Sequence, residues 1–402
     1  MNLLQEGIEQ RAVIKTALTK KMTVDGITKA YPVYKVRLDW LFYNDQNDRI
    51  ATWISQYKFE HDGLIPDIND KVSYNNIIEG FVVASNPDAI RKTQTNIEIV
   101  DQREPGVVLS DGRIIDGNRR FTCLRRLAQK NDRFNYFETV ILDRNIDNSA
   151  KQIKMLELSI QHGEESKVDY DPVDKLVGIY NDIVDTHLLS IEEYAKSTNE
   201  SETKVRNYME LSKLMVEFLE FINAPKQFHI ARDMQVTFPL NELLKLTKKC
   251  HDNNEAEDLK ITVFNNMLMH TSTDMTHFVR NFKSIIGSPY QEEFLSEQKN
   301  LAEKVIQTLP PVGKVTTEVI RESIRNQPEI TEAMNQSVEK TIILTKKMET
   351  RNRPIYLAEK AANFLDNIDV NILLKLDNNE LQQLLNQLSN LEEAIVRIRK
   401  NI

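Results

Sequence analysis

The pattern of apolar and polar positions divides the chain near residue 165. Before it, short apolar runs and two-residue alternation mix with helical periods; after it almost every segment repeats at helical spacing. Residues 31–38 (YPVYKVRL) read as a strand, because Val33, Tyr34 and Val36 are β-formers set among polar residues. Val107, Val108 and Leu109 make a second apolar run. Asp111-Gly112 signals a tight turn, and Ile114-Ile115 begin the return strand of a hairpin. Residues 137–142 (FETVIL) form a further strand. Between these lie amphipathic helices: one headed by Arg49 with Ile50, Trp53 and Ile54 on one face, others over 74–84 and 87–96, one with Phe121, Leu124 and Leu127 as its stripe, and one over 150–161. Residues 1–30 are expected to be a polar helix or an arm.

The helical part begins after the polar link HGEESKVDYDP. Residues 190–214 carry the clearest local signals. Ser190 with Glu193 three residues on makes a capping box, and Asn199 suits a left-handed turn. Tyr194, Ala195, Val205, Tyr208 and Leu211 face inward, which is the helix-turn-helix pattern. Thr203, Lys204, Arg206 and Asn207 then point outward on the second helix and suit base edges or phosphates, whereas Glu200 and Glu202 repel phosphate. A helical hairpin that binds nothing has the same pattern. Residues 309–313 (LPPVG) look like a linker. Near the C-terminus Leu381, Leu384, Leu388, Leu391, Ile395, Ile398 and Ile402 recur by three and four, a seam of about three heptads. It suits a coiled-coil dimer, or a helix folding back on residues 355–364.

Composition narrows the classes. With 402 residues, 41% of them hydrophobic, the chain has room for two or three packed domains. Its net charge of −8 argues against a global basic field, so a nucleic-acid surface has to be local. The two cysteines, Cys123 and Cys250, are far apart and suit a reducing compartment. The opening residues lack the apolar core of a signal peptide, and no stretch has the length of a membrane span. His251, His270 and His277 have no third ligand at metal spacing, so no metal site is expected.

The turn from Asp116 to Arg120 carries the candidate chemistry. Asp116-Gly117-Asn118 breaks the strand, and Arg119-Arg120 fall in the first turn of a helix, where free N–H groups and the helix dipole already supply positive potential. Such a turn is either a phosphate cradle or an ordinary solvent-exposed basic helix start.

Taken together these stretches resemble the ParB family of partition proteins, over roughly residues 31–225. YPVYKVRLDWLFYNDQNDR is similar to the family's first box, ending in Arg49. QREPGVVLSDGRIIDGNRRFTCLRRLAQ is similar to its second, with Gly117-Asn118-Arg119-Arg120 as the Gly-x-Arg-Arg motif. VILDRNIDNSAKQIKMLELSIQ resembles the strand and helix that follow, and the helix-turn-helix falls in family order. The chain departs from the family in three places. Asn118 replaces a Glu; Leu158-Ser159-Ile160-Gln161-His162 replaces the segment that supplies a magnesium carboxylate, with Glu157 and Glu164 nearby; and residues of about 55–100 are an insertion.

The resemblance implies an α+β fold. A small ParB/sulfiredoxin-like domain (1–165) would precede a helical DNA-binding domain (166–310, helix-turn-helix at 190–214) and a helical C-terminal domain (315–402) suited to dimerisation. It implies that CTP or another nucleoside triphosphate, with Mg2+, binds at Arg49, Asp116, Gly117, Asn118, Arg119, Arg120 and Gln161. It implies a cytoplasmic, nucleoid-associated homodimer that uses Thr203, Lys204, Arg206 and Asn207 on double-stranded DNA, in partition or in regulation of a mobile element. The alternative within the same superfamily is an enzyme, such as an NTPase, a nuclease or a small-molecule kinase acting in phage defence, with Asp116, Glu157 or Glu164 as its carboxylate.

Overall fold

The computed structural model describes residues 2–24, 26–144, 146–162 and 171–402. Residues 163–170, which include Glu164 and most of the polar link, lie outside the described residues. Two compact units make up the chain, residues 1–338 and residues 339–402.

The first unit is α+β and opens on a five-stranded mixed sheet. Strands β1 (Val13–Val24), β2 (Ile27–Arg37), β3 (Gly106–Leu109), β4 (Ile114–Asp116) and β5 (Tyr136–Leu142) lie in the order β1-β2-β5-β3-β4. β3 runs parallel to β5, and the other pairs are antiparallel. The strand alternation sends neighbouring side chains to opposite faces. Val33, Val107, Leu109, Ile115, Val140 and Leu142 join one core; Val36, Val108, Ile114, Phe137 and Ile141 join the other. This is why the runs at 107–109 and 114–115 are apolar without a gap: both faces of the sheet are covered.

The second core is closed by helices α2 (Lys71–Ser85), α3 (Pro87–Val100) and α4 (Asn118–Ala128), which supply Tyr74, Ile78, Ile90, Ile97, Phe121, Leu124 and Leu127, and α1 (Ala51–Glu60) packs the partly buried Trp53 and Ile54 against it. Helix α5 (Ile146–His162) covers the first face through Ile153 and Leu156. Two pairs of ions hold α2 against α4, since both Arg125 and Arg126 bind the Glu79 carboxylate, at 2.5 and 2.9 Å.

The N-terminal stretch differs from its expectation. It is neither helix nor arm beyond Gly7 but the edge strand β1, paired along its length with β2. Its burial is sparse, because most of its side chains face solvent on both sides.

After the sheet come α6 (Pro172–Ile179), α7 (Ile191–Thr198) and α8 (Glu202–Phe221), and then further helices from Phe228 to Ile306. α7 and α8 form the expected pair. The Ser190–Glu193 capping box is present in both directions, Asn199 sits at φ 55°, and Tyr194, Ala195, Val205 and Leu211 are buried. Among the described residues no helix is long and apolar enough to cross a membrane.

The boundary between units falls within the helix Pro328–Asp366. The second unit also holds the helix Asn378–Arg399, which has a capping box at Asp377 and no buried residue. Ile355, Tyr356, Leu357 and Phe364 are more than half exposed, so packing of the leucine seam against residues 355–364 does not bury them.

Candidate functional site

Three chain segments converge beside the end of β4. The first is the turn after Phe42, which bridges to Arg113 and so lies along the hairpin. Within it Asn47 accepts from the Arg49 N–H, starting a short helical turn that sets the Arg49 side chain. The second is the strand-to-helix turn itself. Gly117 takes φ +104°, and a Cβ there would stand 2.7 Å from the Phe137 ring. Only glycine turns the chain so sharply while letting α4 begin against the sheet. The cap has no side-chain acceptor for the first N–H groups of α4, which keeps the positive end of that helix available. The third is the end of α5, which brings Gln161.

These segments, with α2, α3 and residues 102–104, enclose a cavity of about 360 Å³. Arg49, Asp116, Gly117, Asn118, Arg119, Arg120 and Gln161 all line it. Seven positions spread over more than a hundred residues of sequence thus share one space.

The electrostatics favour an anion. Four arginines, the three above and Arg103, face two carboxylates, Asp116 and Glu104. Asp116 is engaged by Arg120 at 2.8 Å. Arg119 makes no ion pair among the described residues. Burial, and then the neighbouring charges of Arg49 and Arg120, lower its guanidinium pKa. A cation held in this way gains from any anion that enters. Arg120 Nε and Asn118 Oδ1 are buried without a hydrogen-bond partner among the described residues, a cost that a ligand group or a water would relieve.

Behind the cavity lies a buried ionic cluster that the sequence pattern does not announce. Lys154 of α5 binds Asp48 at 2.6 Å and lies 3.6 Å from Asp182 and 3.9 Å from Glu157. Gln161 donates to Glu157 at 3.0 Å. Burial pushes Glu157 up to about 8 and Asp182 up to about 7, both opposed by Lys154. For Lys154, burial works against the charge but the three carboxylates outweigh it and hold the ammonium form. Glu157 therefore belongs to this cluster rather than to an open metal position. Among the described residues no group of three or more His, Cys, Asp or Glu side chains is placed to hold a metal ion.

The second set of sequence-predicted residues lies on α8. Thr203, Lys204, Arg206 and Asn207 are all exposed on its first two turns. Arg206 makes no hydrogen bond or ion pair among the described residues, and Asn207 accepts from Lys248 at 3.3 Å. Lys204 is more committed than the sequence suggests. Its ammonium binds Glu200 at 2.8 Å, and Lys175 binds the same carboxylate at 3.0 Å. The pairing covers the Glu200 charge that the pattern alone sets against phosphate. Helices α7 and α8 share a core with Leu158 of α5, and Lys151 of α5 binds Glu193 of α7 at 2.6 Å. One helix thus supports the α7–α8 pair and ends at the cavity.

Sequence reasoning missed the wall from α2 and α3, which places Ile78, Val82, Asn86, Thr93 and Asn96 in the cavity. No local signal marks them, because they lie on ordinary amphipathic helices whose neighbours are set only by the tertiary fold. The helices α2 and α3 thus close the site.

No model of a known protein family matches the chain, and no curated protein matches it.

Proposed function

We propose that the chain is a ParB-like, DNA-binding homodimer gated by a nucleoside triphosphate, CTP or another, acting in DNA partition or in the regulation of a mobile element. The sheet with α4 and α5 is then its ParB/sulfiredoxin-like domain. The observation that carries the reading is the convergence of Arg49, Arg119 and Arg120 on one cavity at the start of α4. Guanidinium groups bind phosphate oxygens through charge-assisted, often paired, hydrogen bonds, and a helix N-terminus adds backbone donors. Mg2+ bound with such a ligand keeps most of its ligands from phosphate and water and needs at most one or two carboxylates, for which Asp116 lies in the lining. The exposed α8 residues supply the DNA contact, Arg206 and Asn207 toward base edges and Thr203 and Lys204 toward phosphates.

A thermal-shift and calorimetry panel tests this, with CTP, UTP, ATP and GTP, with and without Mg2+ and duplex DNA. At least one nucleotide should raise the melting temperature in proportion to its saturation. Arg119→Ala should weaken that binding roughly 10- to 100-fold, the loss of one charged hydrogen-bonding partner. It should leave the free protein as stable or more so, because it removes a desolvated cation from beside two others. Arg206→Ala should weaken duplex binding by about 1–3 kcal/mol where the side chain reads a base. A panel with no nucleotide binding, or Arg206→Ala with unchanged affinity and salt slope on every duplex, would sink the reading. Nucleotide or DNA turnover lost in Arg119→Ala would move the cavity to an enzyme of the same superfamily.

A further inference from the structure

The cavity has two chemically different walls. Every charged residue in its lining comes from residues 49, 103, 104, 116, 119 and 120, whereas every lining residue from α2, α3 and the turn between them is neutral. On that neutral side Ile78 and Ile97 are fully or almost fully buried, and Val82 packs against the same core. Val82 keeps part of its surface open to the cavity, backed by the core that Ile78 and Ile97 complete.

Polar groups with hydrogen-bonding capacity to spare sit on the same side. Asn86 uses its Oδ1 to cap α3 through the Ala89 N–H at 2.9 Å, which leaves its amide nitrogen as a donor. Thr93 and Asn96, one turn apart on α3, make no side-chain hydrogen bond among the described residues. An amide and a hydroxyl can each both donate and accept. The wall therefore suits a neutral, planar group that carries donors and acceptors on its edge, and neither a second phosphate nor a purely apolar group. A cavity of about 360 Å³ is within the range of small-molecule sites, about 300–1,000 Å³.

We propose that α2 and α3 form the base-reading wall of the site: the nucleobase of the bound nucleotide lies against Val82, backed by Ile78 and Ile97, and its edge is read by Asn86, Thr93 and Asn96. This rests on the reading of the arginine wall as a polyphosphate site. The division of labour has a direct consequence. Phosphate binding and base selection come from separate helices, so each can be removed without the other.

Calorimetric titration of the full chain with inorganic tripolyphosphate and with CTP, UTP, ATP and GTP separates the two. The wild-type protein should bind tripolyphosphate and should favour one nucleotide over the least favoured by roughly tenfold or more, the worth of one or two well-made hydrogen bonds. The double variant Thr93→Val/Asn96→Ala should bring the four nucleotides to within roughly threefold of one another and leave the tripolyphosphate affinity unchanged. Asn96 is exposed and Thr93, which is partly buried, is replaced by a side chain of the same shape, so the melting temperature of the unliganded variant should match the wild type, and that measurement shows any loss to be local. Equal affinity for all four nucleotides in the wild-type protein, or discrimination that survives in the double variant, would overturn the assignment of α2 and α3 while tripolyphosphate binding still upheld the arginine wall. Failure of all five ligands to bind would overturn both.

Discussion

Gly117 shows how much of the site hangs on one residue. It links the last residue of β4 to the first turn of α4, at a φ that L side chains rarely adopt and with the Phe137 ring in the space a Cβ would take. Gly117→Ala should therefore destabilise the protein by about 1–3 kcal/mol or more, read from chemical denaturation, through backbone strain to which the clash with the Phe137 ring adds. It should also weaken ligand binding beyond what the stability change explains, because the same turn aims Asn118, Arg119 and Arg120. An alanine variant with wild-type stability would show that the turn has a relaxed alternative. This residue was legible in sequence: a Gly after a β-run and before a basic amphipathic helix has few other readings. Arg119 and Arg120 were legible as a pair, since two arginines in a helix's first turn oppose its dipole. Gln161 was reached through a resemblance, and its hydrogen bond to Glu157 is a contact between successive turns of α5 that spacing alone does not single out.

At the scale of elements, the Lys154 cluster ties together the turn before α1, helix α5 and the segment 180–185, and its charge governs how that junction responds to pH. In the unfolded chain Glu157 and Asp182 ionise in the ordinary carboxylate range near pH 4. In the folded protein burial raises both, against the pull of Lys154, to about 8 and about 7. The folded state therefore binds more protons between those limits, so stability falls as pH rises. The contribution of these carboxyls is fully present below pH 4 and is lost as pH climbs through 7 and 8. The raised Lys154 has the same sign, but its contribution is lost only at strongly alkaline pH. Glu157→Gln should flatten the decline in melting temperature between pH 5 and 8.5, and Lys154→Met should cost about 3–5 kcal/mol above pH 8, where the buried carboxyls ionise without their cation, and less at pH 5, where Glu157 and Asp182 hold their protons. A wild-type profile that rises over that range would refute the assignment of raised carboxyls. Sequence inspection could not find this cluster. Its four members stand at 48, 154, 157 and 182, and each alone looks like a surface charge on a helix or turn. Strand β1 was missed for a related reason. Its side chains are mostly solvent-facing, so it has no apolar period, and only pairing with β2 defines it. The elements that were legible, β3 to α4 and the pair α7–α8, are those whose buried side and caps are both written locally.

At the scale of the whole molecule, the second unit poses a problem that a single chain leaves open. The helix Asn378–Arg399 has no buried residue, although its seam repeats apolar side chains every three or four positions. Leu384 and Leu388 are half-buried; Leu391, Ile395 and Ile398 remain 39%, 47% and 59% exposed. Apolar rows of this regularity are stable in water when a second helix supplies the matching holes, and a seam read in identical register on two copies closes as a symmetric pair. The proposed homodimer places its contact here. The full chain should sediment as a dimer, with a dissociation that depends on concentration, since about three heptads make a short coiled coil. The double variant Leu391→Asp/Ile395→Asp should sediment as a monomer at the same concentration. Both positions are exposed, so the monomer should keep its melting temperature and its affinity for nucleotide. On a duplex long enough for two helix-turn-helix units the variant should bind more weakly by roughly 100-fold or more, the loss of bivalent attachment. On a short duplex that admits one unit the two proteins should bind alike. A variant that stays dimeric would place the contact elsewhere on the chain, and a wild-type protein that is monomeric at every concentration would remove the homodimer from the proposal.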